Sequence, residues 1–358
     1  MPSLLVTGGA GFIGANFARY WSRRHSGDPI VVLDALTYAG RRSRIADLER
    51  SGAVRFVEGD IRDQALVERL LVEGGIDTVV HFAAESHVDR SIGDPDAFVS
   101  TNVVGTQSLL EAGRRVWLEG SSGAPHRFHH VSTDEVFGSL AEGAAATEAS
   151  PYAPNSPYAA SKAASDHLVR AYHRTFGLRT TTTHCTNNYG PWQFPEKLVA
   201  LFLANILRGR PLPVYGDGQH VRDWLHVEDH CRALELVLTG GRPGTTFVVG
   251  GEGGHTNLEV VEALCRAVDR ALEADPARLE RFPGTPRASG GRAMDLIRFV
   301  EDRPGHDRRY AVDASRIREH LGFRPERSLD EGLGATVDWY LDHEDWWGPL
   351  LEGAGAAG

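Results

Sequence analysis

Leu4-Leu5-Val6-Thr7-Gly8-Gly9-Ala10-Gly11-Phe12-Ile13-Gly14 decides the fold of this chain. A short apolar strand runs into a glycine-rich turn, and a helical stretch near Phe12–Arg24 follows. Glycines in that position permit a tight turn, close approach of backbone to a pyrophosphate, and close helix–strand packing. The helix N-terminus adds N–H donors and partial positive charge. Asp34 closes the next apolar run, 20 residues after Gly14. A carboxylate there accepts ribose hydroxyls and repels a 2′-phosphate, which favours NAD over NADP. Gly8, Gly11, Phe12, Ile13, Gly14 and Asp34 are therefore expected around the cofactor. Asp60-Ile61, after the third strand, are expected beside adenine, with turn capping as a competing role for Asp60.

Outward from this motif, β-branched runs alternate with amphipathic stretches, the pattern of a doubly wound parallel sheet. Strands are expected at Leu4–Thr7, Ile30–Asp34, Val54–Glu58, Thr78–Ala83, Phe128–Ser132 and Thr180–His184. Helices are expected near Phe12–Arg24, Arg41–Arg50, Gln64–Val72, Pro95–Leu118 and Pro157–Phe176. From Asn187 onward the pattern breaks, and Pro191, Pro195, Pro211 and Pro213 punctuate shorter elements. The expected fold is α/β: a Rossmann-type doubly wound parallel sheet with a smaller mixed α/β C-terminal substrate domain. The first domain covers 1–186, with a return at 226–250 through a helix at Val227–Leu238 and a strand at Thr246–Val249. The second covers 187–225 and 251–348, and a frayed Gly/Ala-rich tail covers 349–358.

The 358 residues suit two domains sharing one cleft. Net charge is −10, which argues against a nucleic-acid surface. An anionic ligand then needs a local cluster of Arg, Lys and helix N-termini. No apolar run reaches the ~20 residues that span a bilayer. The sequence opens directly into the first strand, so neither a signal peptide nor membrane attachment is expected. Cys185, Cys231 and Cys265 are few and widely spaced, as free thiols in a reducing cytoplasm would be.

Thr133-Asp134-Glu135 follows the fifth strand, and Tyr158 comes 23 residues after Glu135. Tyr158 and Lys162 lie one helical turn apart and share a face. An ammonium beside a phenol stabilises phenolate, lowering a pKa of ~10. Tyr158 can then take a hydroxyl proton while hydride leaves for NAD, with Thr133 holding the same oxygen. Two adjacent carboxyls in a partly dry cleft resist double ionisation, so one keeps its proton near neutral pH. Alcohol oxidation alone needs no such pair; oxidation followed by loss of water does.

These residues resemble the extended short-chain dehydrogenase/reductase group and, within it, the dTDP-glucose 4,6-dehydratases. The likeness runs through Val6–Gly14, Asp34–Gly40, His81–Ser91, Val131–Val136, Pro157-Tyr158 with Lys162, and Asn187–Pro191. It continues through Phe194–Leu198, Tyr215–Gly218, Val221–Trp224, Thr256–Leu258 and Asp302–Tyr310, covering the chain to about Tyr340. The Asp-Glu pair separates this family from its epimerase relatives. The resemblance implies oxidation at sugar C4 by Tyr158, Lys162 and Thr133. Glu135 then removes the C5 proton while Asp134 protonates the C6 hydroxyl, and hydride returns to C6. It implies tightly bound NAD, regenerated each turnover, with Thr37, Ala83, Ala84, Tyr158 and Lys162 joining the cofactor set. Ser86, Thr133, Asn187, Glu196, Lys197, Leu198, Pro213, Tyr215, Arg222, Asn257, Arg303 and His306 would hold the nucleotide sugar. It further implies a homodimer, built as a four-helix bundle from the 95–118 and 157–176 helices of two copies.

Several positions depart from the common family text: Phe137, His184, Thr186, Trp192 and the Gly251–His255 segment. His126, His129 and His130 crowd one strand, but neighbouring strand residues face opposite ways, so no metal is expected. The alternatives are a sugar-nucleotide 4-epimerase, which needs no Asp-Glu pair, and a 4,6-dehydratase acting on a UDP-sugar.

Overall fold

A computed structural model describes residues 2–120, 125–251, 253–303 and 305–354. Seven parallel strands form the main sheet: β1 (Leu4–Thr7), β2 (Ile30–Asp34), β3 (Arg55–Glu58), β4 (Thr78–His81), β5 (Arg127–Thr133), β6 (Thr180–Cys185) and β10 (Thr245–Val249). Their order is β10-β6-β5-β4-β1-β2-β3. Buried on both faces, the central strands are apolar runs rather than alternating ones, as Leu4-Leu5-Val6 and Ile30-Val31-Val32-Leu33 show. On one face Phe17, Ala18 and Trp21 of the Phe12–Arg24 helix pack with Cys231 and Leu234 of the Val227–Gly240 helix. On the other, Val67, Leu70, Leu109, Leu110 and Val169 come from three helical segments. Strand order reverses between β1 and β4, which opens a crevice beyond their carboxyl ends.

The remaining strands are short: β7 (Asn187–Tyr189), β8 (Leu212–Tyr215), β9 (Val221–His226), β11 (Gly254–Thr256) and β12 (Ile297–Val300). They pair as β11-β9-β7 and β12-β8. Beside them a separate core gathers Leu203, Val260, Leu264, Leu333, Val337 and Trp347.

Three local expectations need correction. The 95–119 helical run contains two π stretches, Val99–Gly105 and Arg114–Glu119. At Gly105 an added Cβ would stand 2.5 Å from Ile61 Cδ1, so the run is pressed close against the turn after β3. The 41–50 region is not one helix: it divides into Arg42–Arg44 and Ala46–Arg50, with buried Ile45 between them. Finally, 349–354 is not frayed, because a helix runs Glu344–Ala354 and Leu351 packs on the second core. Residues 355–358 lie outside the described residues. No helix among the described residues is long and apolar enough to cross a membrane.

Candidate active site

Two adjoining cavities, of about 370 and 220 Å³, open beyond the carboxyl ends of β1, β4 and β5. Every cofactor residue expected from the sequence lines the larger: Gly8, Gly11, Phe12, Ile13, Gly14, Asp34, Thr37, Asp60, Ile61, Ala83, Ala84, Tyr158 and Lys162. Pro213, Tyr215, Arg222, Asn257, Arg303 and His306 line the smaller, whereas Ser86 and Thr133 line the larger. Glu135, Asn187, Glu196, Lys197 and Leu198 line both, so Glu135 stands at their junction.

Glycine shapes the larger cavity. Gly8 has φ +68°, and a Cβ there would lie 2.6 Å from the backbone nitrogen of Ala83. A Cβ on Gly14 would lie 2.4 Å from Gly8 O. Gly11 caps the Phe12–Arg24 helix with no side-chain bond, leaving that N-terminus for an anion. Asp34 is buried, and its oxygens accept N–H bonds from Ala10 (2.9 Å) and Leu36 (2.8 Å). Each oxygen retains a second lone pair for a ribose hydroxyl. Asp60 serves its turn as well, accepting from the Arg62 N–H at 2.8 Å and from the Arg62 guanidinium. This donor and acceptor set fits a dinucleotide.

Thr133 ends β5 and caps the turn Asp134–Phe137, its hydroxyl accepting the Glu135 N–H at 3.3 Å and meeting Asp134 Oδ1 at 3.4 Å. That hydroxyl also meets Tyr158. Asp134 is buried, and its Oδ2 has no hydrogen-bond partner among the described residues. Burial, then the neighbouring Glu135, hold its carboxyl protonated well above the usual range. Burial also raises Glu135, while Lys197, Arg222 and Arg303 pull it back. The two carboxyls therefore differ in environment, as an acid–base pair requires.

Ser156 caps the Pro157–Phe176 helix by accepting the Ala159 N–H, and Pro157 starts it. Tyr158 and Lys162 both face the larger cavity. Among the described residues Lys162 makes no hydrogen bond to Tyr158; its ammonium donates to Val131 O at 2.9 Å and faces His130 Nε2 at 3.5 Å. Burial and Glu135 push the phenol up, and Thr133 lowers it.

The cations expected for a diphosphate converge on the smaller cavity. Lys197 donates to Ser86 O at 2.8 Å, joining the loops after β4 and β7. Arg222 donates to Asp307 O at 2.7 Å and stacks 4.2 Å over the Tyr310 ring. Arg303 pairs with Asp89 at 3.3 Å. His306 binds Asp302 at 2.6 Å and stacks on His220, with ring centroids 3.7 Å apart. His220, Asp302 and His306 also bring ligand-capable atoms within 4.8 Å of one another, although the shared carboxylate already meets both rings. His129 binds Thr181 and Thr183, whereas His130 faces Asp166. The unusual glycines have a use: Asp223 accepts the N–H groups of Gly251 at 3.0 Å and Gly253 at 3.5 Å.

Sequence reasoning missed Tyr38, Arg44, Glu85, Trp224 and Tyr310, all of which line a cavity. Tyr38 and Tyr310 lie inside the motif text and could have been chosen from it. Arg44 carried no signal.

The chain matches the family model described as GDP-mannose 4,6 dehydratase over residues 5–336. It is 54% identical to the dTDP-glucose 4,6-dehydratase of Xanthomonas campestris pv. campestris (strain B100), covering 99% of this chain and 97% of that one. Among solved structures, the dTDP-glucose 4,6-dehydratase of Streptomyces venezuelae with NAD bound superposes with a TM-score of 0.85 at 47% identity, covering 97% of this chain and 99% of that one. The UDP-glucose 4-epimerase of Thermus thermophilus gives 0.80 at 32% identity, covering 94% and 98%. The chain belongs to the dTDP-glucose 4,6-dehydratase family of extended short-chain dehydrogenases/reductases.

Proposed function

We propose that this chain catalyses the NAD-dependent dehydration of dTDP-glucose to dTDP-4-keto-6-deoxyglucose. The observation that carries this reading is Glu135 at the seam of the two cavities, with protonated Asp134 and Tyr158 beside it. A 4-epimerase has no task for that carboxyl pair. The glycine turn and Asp34 would hold NAD, which would supply the hydride acceptor for C4 and the donor for C6 and so be regenerated within each turnover and stay bound.

The protein's part is proton handling and charge. Tyr158 takes the C4 hydroxyl proton while Thr133 holds the oxygen. The resulting ketone acidifies C5–H, which Glu135 removes. Asp134 gives its proton to the C6 hydroxyl, water leaves, and Glu135 returns its proton to C5. The count leaves one extra proton on Tyr158 and one missing from Asp134. Thr133, whose hydroxyl meets both, is the link for its return. Lys197, Arg222 and Arg303 offset the diphosphate charge, which lets a protein of net charge −10 hold an anion.

A second copy packs on the 95–119 and 157–176 helices, where Val99 and Val104 stand about half exposed on one helical run. Sedimentation as a monomer at working concentration would contradict that assembly. Three buried free thiols support a reducing cytoplasm. Assays of dTDP-glucose, UDP-glucose and a UDP-N-acetylhexosamine side by side test the substrate: the keto-sugar should form fastest from dTDP-glucose. Faster product from either UDP-sugar would overturn the base assignment.

A further inference from the structure

Lys162 is 4% exposed, and its ammonium has one carbonyl and one imidazole as partners. A buried ammonium so poorly supplied sheds its proton unless an anion compensates it. Burial pulls it down to about 8, with Asp166 the foremost group holding it up. Asp166 lies one turn further along the same helix, buried, and lines neither cavity. Three residues from two strands, β5 and β6, meet its carboxylate. Ser132 Oγ donates at 3.0 Å, His184 Nε2 lies at 2.9 Å, and His130 Nε2 at 3.2 Å. The Tyr152 hydroxyl is 2.9 Å from the same His184 nitrogen. His130 Nε2 stands between the two, 3.5 Å from the ammonium and 3.2 Å from Asp166 Oδ1.

The other groups around Lys162 supply no compensating charge of their own. Cys185 on β6 is pushed up by burial and keeps its proton, and burial pushes the Tyr158 phenol on its own helix up as well. His81 on β4 and His130 on β5 are pushed down by burial and are neutral. Asp134 and Glu135, on the turn after β5, bear on Tyr158 and Cys185.

We propose that Asp166 is a positioning residue, a buried counter-ion anchored by Ser132 and His184 that keeps Lys162 charged and so sets the alkaline limit of the Tyr158 proton step. This rests on the reading of Tyr158 and Lys162 as the oxidation pair. Charge on Lys162 is lost as pH rises through its pKa, so removing the anion brings that loss to lower pH. In the NAD-loaded enzyme, Asp166→Asn should move the alkaline limb of kcat/KM down by at least one pH unit. The rate should fall about fivefold or more at pH 8 yet stay within threefold of wild type at pH 6. Lys162→Arg keeps its charge throughout, so Lys162→Arg and Lys162→Arg/Asp166→Asn should share one alkaline limb. A variant profile lowered equally at every pH would make Asp166 merely structural and overturn the proposal. Should Asp166→Asn not fold, Asp166→Glu keeps the charge but displaces it, and should move the same limb by less than a unit. An unmoved limb there would also overturn it. Full activity of Tyr158→Phe would instead defeat the underlying reading.

Discussion

Arg44 carries no chemistry in the proposed reaction, yet its removal should be among the costlier single changes in this chain. The side chain is fully buried, and its Nη1 donates to Ala10 O at 2.8 Å and Ala39 O at 2.5 Å. Its Nε donates to Trp192 O at 2.9 Å, and the guanidinium stacks 5.2 Å from the Trp346 ring. One residue thus ties the glycine turn, the loop after β2, the loop before Lys197 and the last helix. In Arg44→Met the three carbonyls lose charge-assisted donors worth about 1.5–3 kcal/mol each. Relief from burying a cation, whose pKa burial has lowered to about 10, returns several kcal/mol. A net loss of about 3 kcal/mol remains, on the order of a hundredfold in the folding equilibrium. Unfolding in urea, followed by circular dichroism with and without added NAD, measures it. The variant should also be purified with less NAD, since two of the three carbonyls belong to cofactor loops. An unchanged urea midpoint together with full NAD content would refute the reasoning.

Two further outcomes follow from the carboxyl pair. Glu135→Gln should still oxidise C4, so reduced nicotinamide should accumulate on mixing with substrate, while keto-sugar release falls by about 10²–10⁴; unimpaired turnover would contradict the base role. Asp134→Asn should lose dehydration but raise the thermal midpoint at pH 8. The folded pKa of Asp134 is raised by burial and Glu135, so its stabilising contribution is whole below the unfolded value of ~3.9 and lost as pH rises through the folded one. The gain should accordingly shrink toward pH 5, and a destabilised variant at pH 8 would contradict the assigned proton.

Much of this was legible because it is local. The glycine turn, Asp34 and the Tyr158–Lys162 spacing declare themselves within short windows, and the apolar strands follow from burial on both faces. What was not legible depends on distant chain. Arg44 acquires its role only when residues 10, 39, 192 and 346 converge upon it. Lys162 turns from Tyr158 toward Val131 and His130 because β5 runs beneath its helix, which spacing cannot express. The helix through Pro349 escaped a compositional reading because its packing against the second core outweighs weak local propensity. The π stretches carried no short sequence signal either, and the first of them ends at Gly105, pressed against Ile61 from the turn after β3.

The central claim is that hydride taken from C4 returns to C6 of the same sugar. Turnover of dTDP-glucose deuterated at C4 tests it directly, with the product read by NMR. Deuterium is expected in the C6 methyl group of a 4-keto product. Deuterium kept at C4, in a product still bearing its C6 hydroxyl, would contradict it.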